Sequence, residues 1–132
     1  MSNILLSVQD AVLASINNNE NIKNNVSGVF THVPANSKFP YIVLGKMELK
    51  DKSCKTNNYF DAYINIMIYS KDRNYKMLFS LVDEVRNSIS IENFTKAGFA
   101  VFSLVYMSCE IEQKQDGVTS IANLKYKLSI GG

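Results

Sequence analysis

The clearest pattern in the chain lies between Tyr59 and Ser70. Phe60, Ala62, Ile64, Ile66 and Ile68 alternate with Tyr59, Asp61, Tyr63, Asn65, Met67 and Tyr69. A period of two in β-branched and aromatic residues predicts a half-buried strand, with the isoleucine face turned to the core. Pro40 opens a second strand over about Tyr41 to Glu48, and Gly28 opens a short β-like piece, Val29 to Val33, closed by Pro34. The polar stretch Leu49 to Asn58 joins the two long strands and reads as a hairpin loop longer than a tight turn requires.

Helical spacing appears twice. Leu5, Val8, Val12 and Ile16 predict an amphipathic helix over roughly Ile4 to Asn18, and Glu20 to Asn25 reads as one more turn or a loop. Leu78, Leu81, Val82, Val85 and Ile89 predict a second helix, with Asp72 as its N-cap. Ile91 to Ala97 reads as a connector holding a short strand or turn. Phe99 to Ile111 is apolar on both faces through its first half, which predicts a central strand of the sheet. After the turn signal Asp116-Gly117, a last strand runs from Val118 to Ile130, with Ala122, Leu124, Tyr126, Leu128 and Ile130 on its core face. The order α-β-β-β-α-β-β predicts an α+β two-layer sandwich: a mostly antiparallel sheet with two helices packed on one face. The 132 residues fit one domain spanning 1–132, since domains commonly hold about 100–150 residues.

Composition narrows the chemistry. Fourteen basic and twelve acidic residues leave a formal net charge of +2, too balanced to call for nucleic acid or an anionic membrane. Arg73 and Arg86 are the only arginines, which disfavours bidentate phosphate or base recognition. Cys54 and Cys109 sit in unlike surroundings and read as free thiols of a reducing compartment. The start, Met1-Ser2-Asn3-Ile4-Leu5-Leu6, lacks a signal peptide's basic region, and no apolar window approaches the roughly 18 residues of a membrane span. His32, the only histidine, has no acidic or thiol partner at a catalytic spacing. Asp83-Glu84 and Glu110/Glu112 fall on outward faces and read as solvated. Neither a zinc-ligand spacing nor a phosphate-binding glycine loop is present, so no enzyme activity, catalytic residue, cofactor or metal is expected.

Two surface features are left over. Lys46, Lys50, Lys52 and Lys55 cluster on one hairpin; a solvated loop is the simpler reading and a polyanion contact the alternative, because Glu48 and Asp51 interrupt the patch. Tyr59, Tyr63, Met67 and Tyr69 form a half-apolar face opposite the isoleucines, which reads equally as an interface, whose composition it has, or as a surface covered by connectors or the N-terminal segment. The candidate assembly residues are therefore Lys50, Lys52, Lys55, Tyr59, Tyr63, Met67 and Tyr69.

The succession of elements resembles the small tail-completion proteins (tail terminator, head–tail joining) of long-tailed phages and gene-transfer agents. The residues that carry the resemblance are Val29-Phe30 through Val33-Pro34, then Pro40-Tyr41-Ile42-Val43-Leu44-Gly45, the polar loop, the strand ending Ile68-Tyr69-Ser70 and the helix with Leu78, Leu81, Val82 and Val85. A closing hairpin completes it. The run Phe99 to Met107 departs from the family in being more apolar. The resemblance implies a structural virion protein without activity or cofactor. It would form a homo-oligomeric ring, often of six subunits, that caps the tail tube and meets the head connector. Its partners would be its own copies, the tail-tube protein and head connector proteins, with nonspecific DNA contact in the channel and no membrane. Its place would be the head–tail junction of the virion, after assembly in the host cytoplasm. A small cytosolic protein-binding module or accessory subunit is the alternative.

Overall fold

The computed structural model describes residues 3–72 and 74–131. Its elements are α1 (Ile4–Asn17), α2 (Glu20–Lys23), β1 (Val29–Phe30), β2 (Tyr41–Asp51), β3 (Tyr59–Ser70), α3 (Lys76–Ser88), α4 (Ile91–Lys96), β4 (Val101–Gln113) and β5 (Ser120–Gly131). The five strands form one sheet in the order β1-β2-β3-β5-β4. The β2/β3, β3/β5 and β4/β5 pairs are antiparallel, and only the two-residue β1 runs parallel to its neighbour β2. The expected α+β architecture is present, with four helices in place of two.

Alternation along the long strands sorts the two faces. Ala62, Ile64, Ile66 and Ile68 of β3 and Ala122, Leu124, Tyr126, Leu128 and Ile130 of β5 are buried. They share a continuous core with Val8, Val12 and Ile16 of α1, Leu78, Leu81 and Val85 of α3, and Phe94 of α4. The helices therefore all pack on the isoleucine face, as the alternation predicts.

Four local expectations are corrected. The segment Ile91–Ala97 is helical, not a strand or turn. Ser90 caps it by accepting from the Asn93 amide at 3.2 Å. It ends in a Schellman motif: Phe99 N–H donates to the Phe94 carbonyl and Gly98 N–H to that of Thr95, with Gly98 at φ 101°. Edge contact between the Phe94 and Phe99 rings, 6.2 Å between centroids, supplies the apolar clasp of that motif. Second, Asp72 does not cap α3. The helix starts at Lys76, whose amide donates to Asn74 Oδ1, after Tyr75 in the left-handed region at φ 57°. Third, the β-like piece is limited to Val29–Phe30. Fourth, β2 runs through Leu49 and Lys50 to Asp51, shortening the loop to residues 52–58. That loop closes tightly, with Lys52 N–H donating to the Tyr59 carbonyl and Cys54 N–H to that of Asn57.

The largest correction concerns β4. It is an outer strand of the sheet, not a central one. Its apolar run predicts neighbours on both sides; the strand has one on one side only.

Candidate assembly surface

The face of the sheet turned away from the helices collects most of the expected assembly residues. Tyr59, Tyr63, Met67 and Tyr69 all point there from β3, half-buried against their own neighbours. Lys50 joins them, because it pairs with Asp61 and its ammonium lies 5.3 Å from the centre of the Tyr63 ring. Lys52 and Lys55 do not: both are exposed in the hairpin loop beyond the sheet.

Three patches divide this face. At one end Tyr69 stacks on Tyr41 at 5.0 Å, and Tyr41 meets Phe39 and Phe30. Part of the aromatic face is thus covered by the connectors around β1, as one of two readings of the sequence allows. At the centre lies an open depression of about 410 Å³, lined among others by Lys46, Tyr63, Met67, Met107 and Lys125. At the other end Tyr59 meets Phe102 of β4 edge-on at 5.9 Å.

A buried carboxylate underlies the last patch. Asp61 accepts from Ser129 Oγ at 2.6 Å and lies 3.7 Å from Lys127 Nζ. Its charge is thereby paired and hydrogen-bonded, the condition under which a carboxylate tolerates burial. This is a satisfied structural group; Glu110 and Glu112 lie on the same outward face, exposed as expected.

The sequence reading missed β4 as a surface. Among the described residues ten large apolar side chains are exposed, and five of them sit on this strand: Phe102 (63%), Met107 (51%), Val105 (47%), Ile111 and Tyr106. They lie on both faces. Tyr106 and Ile111 pair with the core-facing Tyr126 and Ala122, while Val105 pairs with the outward Lys127. Register shifts at Val101/Ser103 and Tyr106/Ser108 bend the strand. Toward the helices, α3 reaches only far enough to set Arg86 over the Tyr106 ring, 4.3 Å from its centroid. A long apolar edge strand is an invitation to pair with another chain. The available signal was the pattern itself, 13 residues from Val101 to Gln113 without a Lys, Arg, Pro or Gly.

Groups suited to chemistry are scattered. His32 is exposed outside any strand, and Cys54 and Cys109 are free thiols. Hydrogen bonds from Thr56 hold the Cys54 thiol below its ordinary pKa, while burial pushes Cys109 up. No cluster of three potential metal ligands and no helix long and apolar enough to cross a membrane occurs among the described residues. What the fold leaves open is a half-apolar sheet face and an outer strand with exposed apolar side chains.

Comparison with known proteins agrees. The profile of the family described as "Tail completion protein gp17" matches residues 6–130, from α1 to the end of β5. The chain belongs to that family and is a phage-type tail structural protein. One similar solved structure is a chain of the "Virion of native gene transfer agent (GTA) particle". It is 13% identical, with a TM-score of 0.65, over 92% of this chain and 84% of that one, a likeness of fold. No curated protein matches the sequence. The resemblance drawn from the order of elements is borne out.

Proposed function

We propose that this protein assembles into a homo-oligomeric ring that caps the tail tube of a phage or phage-derived particle and joins it to the head connector. The observation that carries the proposal is the family match across residues 6–130, which takes in the whole sheet. The exposed apolar side chains of β4 support self-association, because a ring requires two different complementary patches on each subunit. The aromatic and lysine-bearing sheet face, with Lys50, Tyr59, Tyr63, Met67 and Tyr69, is the surface assigned to the tube or connector, and Lys52 and Lys55 extend it along the hairpin. In this reading the protein acts at the head–tail junction as a structural part, not as an enzyme.

Size-exclusion chromatography with light scattering over a range of concentrations, together with electron microscopy of the protein mixed with tail tubes, tests this. Rings of several copies seated at tube ends are the expected result. A monomer at every concentration that leaves tube ends bare would overturn the proposal in favour of a small protein-binding module.

A further inference from the structure

We infer that copies of this chain join edge to edge, with β4 of one pairing antiparallel to the uncovered half of β2 of the next. The inference rests on the ring reading above and supplies its subunit contact.

Strand directions are the first argument. Because β2/β3, β3/β5 and β5/β4 are each antiparallel, β2 and β4 run in opposite directions at opposite sides of the sheet. A second copy brought alongside by rotation, with its helices on the same side, sets its β2 antiparallel to this copy's β4. The contact is heterologous, the kind that closes into rings.

Height along the strands is the second. The short β1 covers β2 only at Ile42 and Val43, so no strand lies beside Leu44–Asp51 on that side among the described residues. Following the register across the sheet, Asp51 is level with Phe60, Ile130 and Val101, and Met47 is level with Ile64, Tyr126 and Tyr106. The open part of β2 therefore stands at the height where β4 exposes Phe102, Val105 and Tyr106. The part of β2 that β1 shields stands level with Glu110 and Ile111.

Charge is the third. The β2 edge and its hairpin carry Lys46, Lys50, Lys52 and Lys55 against Glu48 and Asp51, and none of these lysines makes an ion pair among the described residues. The β4 strand carries Glu110 and Glu112 and no cation. Glu110 is answered by Lys125 at 3.6 Å, and both carboxylates stand level with Tyr41–Val43, the end of β2 that β1 shields. The half of β4 level with Lys50 and the hairpin, Val101–Tyr106, is uncharged, so no cation opposes these lysines across a β4-to-β2 contact, whereas a β2-to-β2 contact would bring two lysine-bearing edges together.

A charge swap tests the register: Ser103→Lys with Val105→Lys on β4 would face the lysines of β2, and Lys46→Glu with Lys50→Glu on β2 would answer it. Circular dichroism and thermal unfolding check that each folds. The β4 variant alone should need at least tenfold more protein than wild type to assemble, and the chain carrying both sets of changes should recover most of that loss. A β4 variant that assembles like wild type, or one that the β2 changes do not restore, would overturn the inference while leaving the ring reading in place. A wild type that is itself monomeric would overturn both. As a second measure, a chain carrying Glu48→Cys and Val105→Cys with Cys54→Ser and Cys109→Ser should form a ladder of intermolecular disulfides on mild oxidation. Single-cysteine chains should stop at dimers, and an equal ladder from either of them would count against the pairing.

Discussion

The hairpin partners β4 and β5 are nearly equal in length and both rich in apolar residues, yet they do opposite work. From Ala122 to Ile130 the apolar residues of β5 keep strict alternation, and its core face is buried beneath the helices. In β4 the apolar residues break alternation, two register shifts bend the strand, and five large side chains stay in water. A strand with neighbours on both sides needs only one good face. A strand left at an edge, with apolar groups on both faces, keeps surface that its own chain does not cover. Unbroken hydrophobicity in a strand therefore signals either burial within the sheet or a surface for another molecule, and only the position of the strand decides which.

Truncations should separate the two strands most sharply. Leu128→Ala in β5 removes a fully buried side chain and should cost about 2–5 kcal/mol in urea unfolding. Val105→Ala in β4 should leave monomer stability within about 0.5 kcal/mol of wild type while weakening assembly. Equal destabilisation by both would remove the contrast. A smaller effect is expected from polar pairs of the same two strands. Ser129→Ala strips Asp61 of its 2.6 Å hydroxyl donor inside the sheet face and should cost about 1–3 kcal/mol. Glu110→Gln only loosens an exposed pair with Lys125, and its cost should stay below about 1 kcal/mol.

Titration sharpens the comparison further. Burial pushes the Tyr126 hydroxyl up to about 12, and the nearby Tyr106 on β4 is raised too, also by desolvation first. Because the folded state holds Tyr126 neutral, its contribution to stability is full below pH 10 and is lost as pH rises from 10 toward 12. Tyr126→Phe should remove the last step of an ultraviolet tyrosine titration; survival of that step would show that another ring carries it. The smallest effect belongs to the turn between the strands. The Thr119 hydroxyl and the amides of Thr119 and Val118 hold the Asp116 carboxyl at about 2, below its ordinary 3.8. Its contribution is full above pH 3.8 and is lost as pH falls toward 2. Asp116→Asn should flatten that part of the acid unfolding curve, and an unchanged curve would rule out this turn as a contributor.

Much of the fold could be read from spacing. The alternation of Ile64, Ile66 and Ile68 gave a strand and its buried face, and the stripe of Leu78, Leu81 and Val85 gave the helix that covers it. Among the candidate site residues, the period of two placed Tyr59, Tyr63, Met67 and Tyr69 on one face without any knowledge of neighbours. The helix at Ile91–Lys96 was within reach as well, because Ser90, Phe94, Gly98 and Phe99 stand at the positions a cap, a clasp and a left-handed stop require. Asp72 misled because an acidic residue ahead of an apolar stripe is a frequent cap, while here the chain turns once more through Asn74 and Tyr75 before the helix begins.

The sequence by itself determined which side chains share a face, where the two long helices and the long strands lie, and the family to which the order of elements belongs. These are local properties, set by periods of 2.0 and 3.6 residues and by the chemistry of caps and turns. Only the tertiary structure decided that β5 inserts between β3 and β4, leaving β4 outermost, and that β1 shields one half of β2 and not the other. Strand order is a choice between pairings of similar local quality, settled by how the sheet fits beneath its helices. The exposed edge, and with it the proposed subunit contact, follows from that choice.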